Sequence, residues 1–367
     1  MKKYSSQRKL ASRIIVAVLA IIMGFSFIMG AVLANSARTP MNIRRSTVEA
    51  TTATQQSMTS ARGMATVEVS SGRLLYAKNE HDKLPMASTT KIMTAITVIE
   101  NVSDLDEKIK VSDKAIGIEG TSIYLQKGEE LTVRELLYGL MLRSGNDAAS
   151  ALALHVSKTN DEFSALMNKV ATKAGAKNSS FKNPHGLDQE GHYTTAYDLA
   201  MISAYAMRNP QFAEIAATKE KRISGVEYPR VLQNKNRLLR SNKNIVGVKT
   251  GFTSKAGRCY VGAMETAGMT VVCAVLNCGP MFPESEAIMT QSGKEYEMVH
   301  IIQKNTLIKP TFPDRHNRTG IAKEDFFYPL MSHEKDKIEI TINEHDICVY
   351  FDNKIIKAMP YVLEKAK

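Results

Sequence analysis

The sequence predicts an α/β domain with a helical block between strands at its two ends, followed by a small β-rich C-terminal domain. Three observations carry this reading. Two strand-like runs, 65–69 and 73–77, flank Ser70-Ser71-Gly72, a hairpin signature. Residues 258–278, rich in Val and other β-compatible residues, read as a second strand pair folded about Ala267-Gly268. The long stretch between them has helical periods, so distant segments must complete one sheet.

In chain order, residues 14–34 come first. They hold no charged side chain, and 21 residues rising 1.5 Å each are long enough to cross a ~30 Å hydrocarbon layer. Lys2, Lys3, Arg8, Lys9 and Arg13 precede the run, which orients the N-terminus to the cytoplasm and exports the rest. The run reads as a transmembrane anchor, its length exceeding the usual central region of a signal peptide. The "VLA" before Asn35 would also suit signal cleavage, so residues 1–35 are an anchor or a signal. Residues 36–62, rich in Ser, Thr, Ala and Gln, read as a flexible tether. The main domain is expected at 63–305. After Pro85 the period turns helical over 88–100. Leu136, Leu137, Leu140 and Met141 mark a helical face that breaks at Ser144-Gly145, and a second helix starts near Asp147. Further helices are expected at 161–175 and 195–207, and one long helix at 285–305. Past 306, Pro310, Pro313 and Pro329 lead to a run where Ile338, Ile340 and Ile342 alternate with polar residues, a small β-rich domain at 306–367. Pro360 interrupts any C-terminal amphipathic helix.

Composition bounds the function. With 44% hydrophobic and 23% charged residues in 367, the chain can bury a sizeable core. The net charge of +11 is concentrated at the N-terminus: eight basic residues precede the first acid, Glu49. The remainder is nearly balanced and has no aromatic-interleaved basic stripe, which argues against nucleic-acid binding. Cys259, Cys273, Cys278 and Cys348 are too few for a disulfide scaffold and read as buried thiols. No spacing suggests a metal site, and no cofactor is implied.

Ser88 and Lys91 form an S-x-x-K pair. The pattern occurs four times in the chain, so by itself it equally describes a helix cap. Ser144-Gly145-Asn146, however, is the only S-x-N, and Lys249-Thr250-Gly251 the only K-T-G, just before the strand pair. The three elements in that order are the trio of β-lactamases and penicillin-binding proteins. On a helix, Ser88 and Lys91 face the same side. A neutral lysine can deprotonate the serine hydroxyl, and the helix dipole, apolar neighbours and the Lys249 charge should depress its pKa. The backbone N–H of Ser88 at a helix start can help hold an oxyanion.

With the segments "GRLLYAKNEHDKLPMASTTKIMTAI", "LTVRELLYGLMLRSGNDAA" and "NPHGLDQEGHYTTAYDLA" added, residues 63–305 resemble the serine D-alanyl-D-alanine carboxypeptidases, the low-molecular-mass penicillin-binding proteins. The resemblance implies the β-lactamase/transpeptidase-like fold, an antiparallel sheet flanked by helices plus an all-helical subdomain, and an extracytoplasmic enzyme acting at the membrane. Its substrates would be peptidoglycan stem peptides ending in D-Ala-D-Ala, with β-lactam antibiotics as covalent inhibitors. It assigns Ser88 as nucleophile, Lys91 as base and Ser144 as proton relay to the leaving amine. Asn146 would hold the substrate peptide, and Lys249 and Thr250 its terminal carboxylate. Gly251 would let the substrate lie against the strand, and the Phe252 backbone would be the second oxyanion donor. It gives the histidines of the "NPHGLDQEGHY" segment no role. Many relatives also carry an arginine after the last strand, whereas 277–293 has no basic residue until past Gly293. A β-lactamase would share the trio, but a class A enzyme needs a glutamate in a loop between S-x-N and K-T-G, and the loop "NSSFKNPHGLDQEGHYTT" offers only Glu190, with no E-x-x-x-N around it. A non-catalytic wall-binding or sensor protein would have no need of a paired Ser and Lys.

Overall fold

The computed structural model describes residues 59–224, 229–308, 318–343 and 345–365. The uncharged run at 14–34 lies outside these residues, as does the tether up to residue 58. The last residues assigned to the tether are not loose. Ala61 is buried, and Thr59 Oγ1 and Ser60 N–H donate to Glu284 Oε2 at 2.6 and 2.8 Å.

The first hairpin forms as expected from β1 (Gly63–Glu68) and β2 (Leu74–Lys78). A 3-10 turn at Ala87–Thr89 then leads into α1 (Thr90–Asn101). The strand β3 (Lys108–Lys110) pairs with β4 (Glu130–Thr132), and Thr132 and Glu135 form a capping box that starts α2 (Val133–Tyr138). A π-turn, Gly139–Arg143, widens the end of this helix before α3 (Asn146–Val156) restarts it. Next come α4 (Asn160–Lys173), α5 (Ala196–Met207) and α6 (Pro210–Ala217), with Thr159, Thr195 and Asn209 as side-chain N-caps. A second ribbon joins β5 (Glu220–Ile223) to β6 (Arg230–Gln233). The block expected to be all-helical therefore carries two ribbons, whose strands of three or four residues are too short to show a period.

After the single turn α7 (Leu238–Ser241), the chain completes the main sheet with β7 (Ile245–Thr253), β8 (Gly257–Thr266) and β9 (Met269–Leu276). The order is β2-β1-β9-β8-β7, antiparallel throughout. Both faces are covered. Val272, Ala274 and Leu276 of β9 face the core shared with α1 to α6, while Val271, Cys273 and Val275 face α8 (Met281–Glu295). That double burial is why residues 271–276 of β9 read as an unbroken apolar run rather than an alternating one. All four cysteines are free and buried.

The helix expected at 285–305 is displaced. It begins earlier, at Met281, because Pro283 fits a first helical turn, and it ends at Glu295. The Val299–Ile302 stretch favours strand, and β10 (Glu297–Ile302) pairs with a distant segment. So β10, placed with the main domain on sequence, joins the β-rich C-terminal part. There β11 (Leu307–Ile308), β12 (Arg318–Ala322), β14 (Ile338–Ile342), β15 (Asp346–Phe351) and β16 (Lys354–Lys365) form a sheet of order β11-β12-β16-β15-β14. The partner of β10 is β13 (Phe326–Leu330).

One residue of the β1–β2 hairpin reaches into this C-terminal part. Arg73 Nη2 donates to both Glu334 oxygens at 2.7 and 2.8 Å and Nη1 to the Pro329 carbonyl. Its guanidinium lies 4.5 to 5.2 Å from the ring centroids of Phe351, Tyr328 and Tyr296. The pair is 9% and 11% exposed, so removing the carboxylate strands a buried charge. Glu334→Ala should therefore cost roughly 3 kcal/mol in denaturant unfolding. Asp113→Ala, which breaks the exposed and solvent-screened Lys127–Asp113 pair, should cost far less. Equal costs would show that the Arg73 contact carries no special weight.

Candidate active site

Ser88 occupies the middle of the 3-10 turn ahead of α1 rather than the helix proper. The turn is sharp: Ala87 has a φ of 49°, a left-handed conformation for a residue with a Cβ. Lys91 stands in the first turn of α1, and the three-residue spacing brings Nζ to 3.0 Å from Ser88 Oγ. Nζ also lies 2.6 Å from both Asn146 Oδ1 and the His185 carbonyl. Those oxygens only accept, so they take two N–H groups and leave the third tetrahedral position facing Ser88. In the neutral amine that position is the lone pair, and the Ser88 hydroxyl donates into it.

The environment favours the neutral form. Lys91 is fully buried, and burial, then the charges of Lys249 and Lys235, hold its pKa well below the ordinary lysine value, with Asp147 opposing. Burial thus acts first, and Lys235 is a contributor that the motifs did not reveal.

The S-x-N triplet owes its shape to the π-turn. The N–H of Ser144 reaches back to the Gly139 carbonyl, and Ser144 takes a left-handed φ of 67°. Asn146 opens α3, with its N–H bonded to the Thr121 carbonyl at 2.7 Å and its Nδ2 donating to the Glu119 carbonyl. With Oδ1 on Lys91, both ends of the amide are engaged within the protein. Its expected grip on a substrate peptide requires one of those bonds to exchange. Asp147 is buried and accepts from Ser122 Oγ at 2.5 Å and from the N–H groups of Ile123, Leu125 and Ala148 at 2.9 to 3.1 Å. It fixes the 121–125 loop against α3, a role that sequence did not suggest.

Lys249, Thr250 and Gly251 lie within β7, an edge strand directly ahead of the β8–β9 pair. Lys249 Nζ donates to the Thr250 carbonyl at 3.0 Å. Burial, then Lys235, lower its pKa to about 7, so near neutral pH it is only partly charged. A Cβ on Gly251 would stand 3.0 Å from the backbone nitrogens of both Ser88 and Thr89. The glycine thus admits the Ser88 turn, where the sequence suggested room for substrate.

Ser88, Ser144, Thr250, Gly251 and Phe252 line one cleft of about 360 Å³, with Lys235 and Arg258 in its wall. Lys91, Asn146 and Lys249 are buried beside the residues that line it. Phe252 is 66% exposed, and its partner across the β7–β8 ladder is Arg258. Arg258 Nη1 reaches the Gly279 carbonyl at 3.3 Å, which brings a basic group beside the segment that lacks one. Its alignment opposite Phe252, the residue after K-T-G, was a usable signal once β7 and β8 were known to pair. Lys235 had none, since its place depends on the contact of Nζ with Thr121 Oγ1 at 3.2 Å.

An antiparallel sheet backed by helices, with a serine–lysine pair where the two layers meet, defines the penicillin-binding class of serine peptidase fold. The profile of the D-alanyl-D-alanine carboxypeptidase family matches residues 49–279, and the chain belongs to that family. It is 36% identical over 220 residues to the D-alanyl-D-alanine carboxypeptidase DacF of Bacillus subtilis, covering 59% of this chain and 57% of that one. It is 33% identical over 267 residues to DacC of Escherichia coli, covering 68% and 64%. The matches thus span less than two thirds of either relative. The solved structure of penicillin binding protein 5 from Haemophilus influenzae shares the fold, with a TM-score of 0.70 at 23% identity over 83% of this chain and 96% of that one.

Gly251→Val should push the Ser88 turn away from Lys91. We expect covalent penicillin labelling to slow by about a hundredfold while far-UV circular dichroism stays unchanged. Labelling at the unmutated rate would show that the contact is not needed.

Proposed function

We propose that this chain is a D-alanyl-D-alanine carboxypeptidase that releases the terminal D-alanine of peptidoglycan stem peptides through an acyl-enzyme on Ser88. The observation that carries the reading is the lone-pair geometry of Lys91, a buried amine whose one uncommitted direction is the Ser88 hydroxyl. Lys91 takes the hydroxyl proton as Ser88 Oγ attacks the carbonyl of the D-Ala–D-Ala bond. The N–H groups of Ser88 and Phe252 receive the oxyanion. Ser144 passes a proton to the departing amine, and water then hydrolyses the ester. Lys249 and Thr250, with Arg258 in the same cleft, hold the terminal carboxylate. The uncharged run at 14–34 delivers the domain across the membrane and anchors it on the outer face. Among the described residues no helix is long and apolar enough to cross a membrane.

Incubation with fluorescent penicillin tests the reading. A stable adduct is expected, together with release of D-alanine from a peptide ending in D-Ala-D-Ala. Ser88→Ala should abolish both, a loss of at least about a thousandfold. Rapid loss of the label would mark a β-lactamase instead, and no label at all a binding protein.

The two lysines set opposite limbs of the pH profile. Activity should rise with pH as Lys91 loses its proton at a pKa depressed below the usual lysine range. It should fall as pH passes about 7, where free Lys249 loses the charge that attracts the carboxylate. Arginine does not deprotonate, so Lys249→Arg should retain some activity and lose the alkaline limb of kcat/KM. An alkaline limb that survives in that variant would assign it to another group.

A further inference from the structure

The 183–192 loop meets the first turn of α1 through the His185 carbonyl, on Lys91, and through the His192 ring, on Thr90. The His192 ring is buried and stacks edge-on against Phe181 with centroids 6.0 Å apart. The backbone N–H of Lys182 lies 3.0 Å from its Nδ1. An amide N–H can only donate, so Nδ1 must present its lone pair. Burial keeps the imidazole neutral, lowering its pKa to about 4, and its single proton therefore sits on Nε2. Nε2 is 2.9 Å from Thr90 Oγ1, whose own hydroxyl proton goes to the Ala87 carbonyl at 2.8 Å. The bonds run in one direction, from Lys182 N–H through the imidazole and the threonine to Ala87.

That carbonyl belongs to the residue held at a φ of 49° immediately before Ser88, a left-handed conformation that a residue with a Cβ adopts only under constraint. The loop also closes over it: a Cβ on Gly186 would stand 2.0 Å from Ala87 O and 2.9 Å from Thr90 Oγ1. The turn thus cannot relax without breaking the chain of bonds or moving the loop.

Building on Ser88 as the nucleophile, we propose that His192 is a positioning residue: as the Nε2-protonated tautomer it anchors Thr90, which holds the Ala87 carbonyl and so aims the Ser88 hydroxyl at Lys91. One loop thereby sets both partners, the base through the His185 carbonyl and the nucleophile's turn through the His192 ring.

The test measures the limiting acylation rate and the initial dissociation constant for fluorescent penicillin in the full chain. His192→Ala and Thr90→Val should each slow acylation at least about tenfold, with initial binding changed less than about twofold. Their double variant should be no slower than the worse single one, because both break the same chain of bonds. Thr90→Ser keeps the hydroxyl and should acylate almost normally. Additive losses, or a Thr90→Ser variant as slow as Thr90→Val, would overturn the proposal. Should the variants fail to fold, the ring 15N shifts of His192 in the unmutated protein decide: a protonated Nε2 with a bare Nδ1 supports it, and the reverse overturns it. An unmutated chain that forms no adduct would bring down the reading of Ser88 and this proposal with it. Adducts at full rate in every variant would overturn the positioning role alone.

Discussion

A lysine amine without water around it is the constraint on which the rest of this structure depends. Burying an ammonium is costly, and the chain meets that cost with two carbonyl-type acceptors and a pair of nearby lysines that favour loss of the proton. Every segment that touches Lys91 comes from a different part of the sequence. The Ser88 turn precedes α1, Asn146 opens α3, and His185 lies in the loop before α5. The fold brings these segments to one point, and small residues let them approach: Gly251 under the Ser88 turn, Gly120 beside Asn146 and Gly186 against Ala87.

Departures from regular geometry gather around the same point. Ala87 and Ser144 both adopt left-handed backbone conformations, and the helix before Ser144 widens into a π-turn. Such features persist where surrounding contacts over-determine them. Here the contacts are identifiable. Thr90 and the 183–192 loop enclose Ala87, while Gly139 and the Asp147-bound loop hold the S-x-N turn. The rigid parts of the fold, the doubly covered sheet and α1, then serve as the frame against which these turns are held.

Much of this was legible in the sequence. The paired strand runs and the helix after Pro85 were visible because each repeats its hydrophobic pattern long enough to show a period. The trio named Ser88, Lys91, Ser144, Asn146 and Lys249-Thr250-Gly251, and the fold brings all of them to one cleft or its immediate lining. What was missed depends on long-range contact. Lys235 and Arg258 enter the cleft wall through packing and strand register, and Asp147 matters through a loop more than twenty residues upstream. Gly251 was legible as a glycine site, but its neighbour was not. The end of α8 failed differently: the Val299–Ile302 stretch fits a helix or a strand, and only pairing with β13 decides it.

The guanidinium of Arg73, seated among three rings and a carboxylate, joins the first hairpin to the β-rich C-terminal part. Swinging one part against the other would drag that cation out of its cage, so the junction at Tyr296 does not act as a hinge. On the proposed function the ligand is a cross-linked polymer, slow and bulky, that offers each bond to be cut only briefly. A molecule with a fixed outline meets it with no domain motion left to freeze, and the entropy a jointed enzyme gives up on every encounter was lost once, at folding.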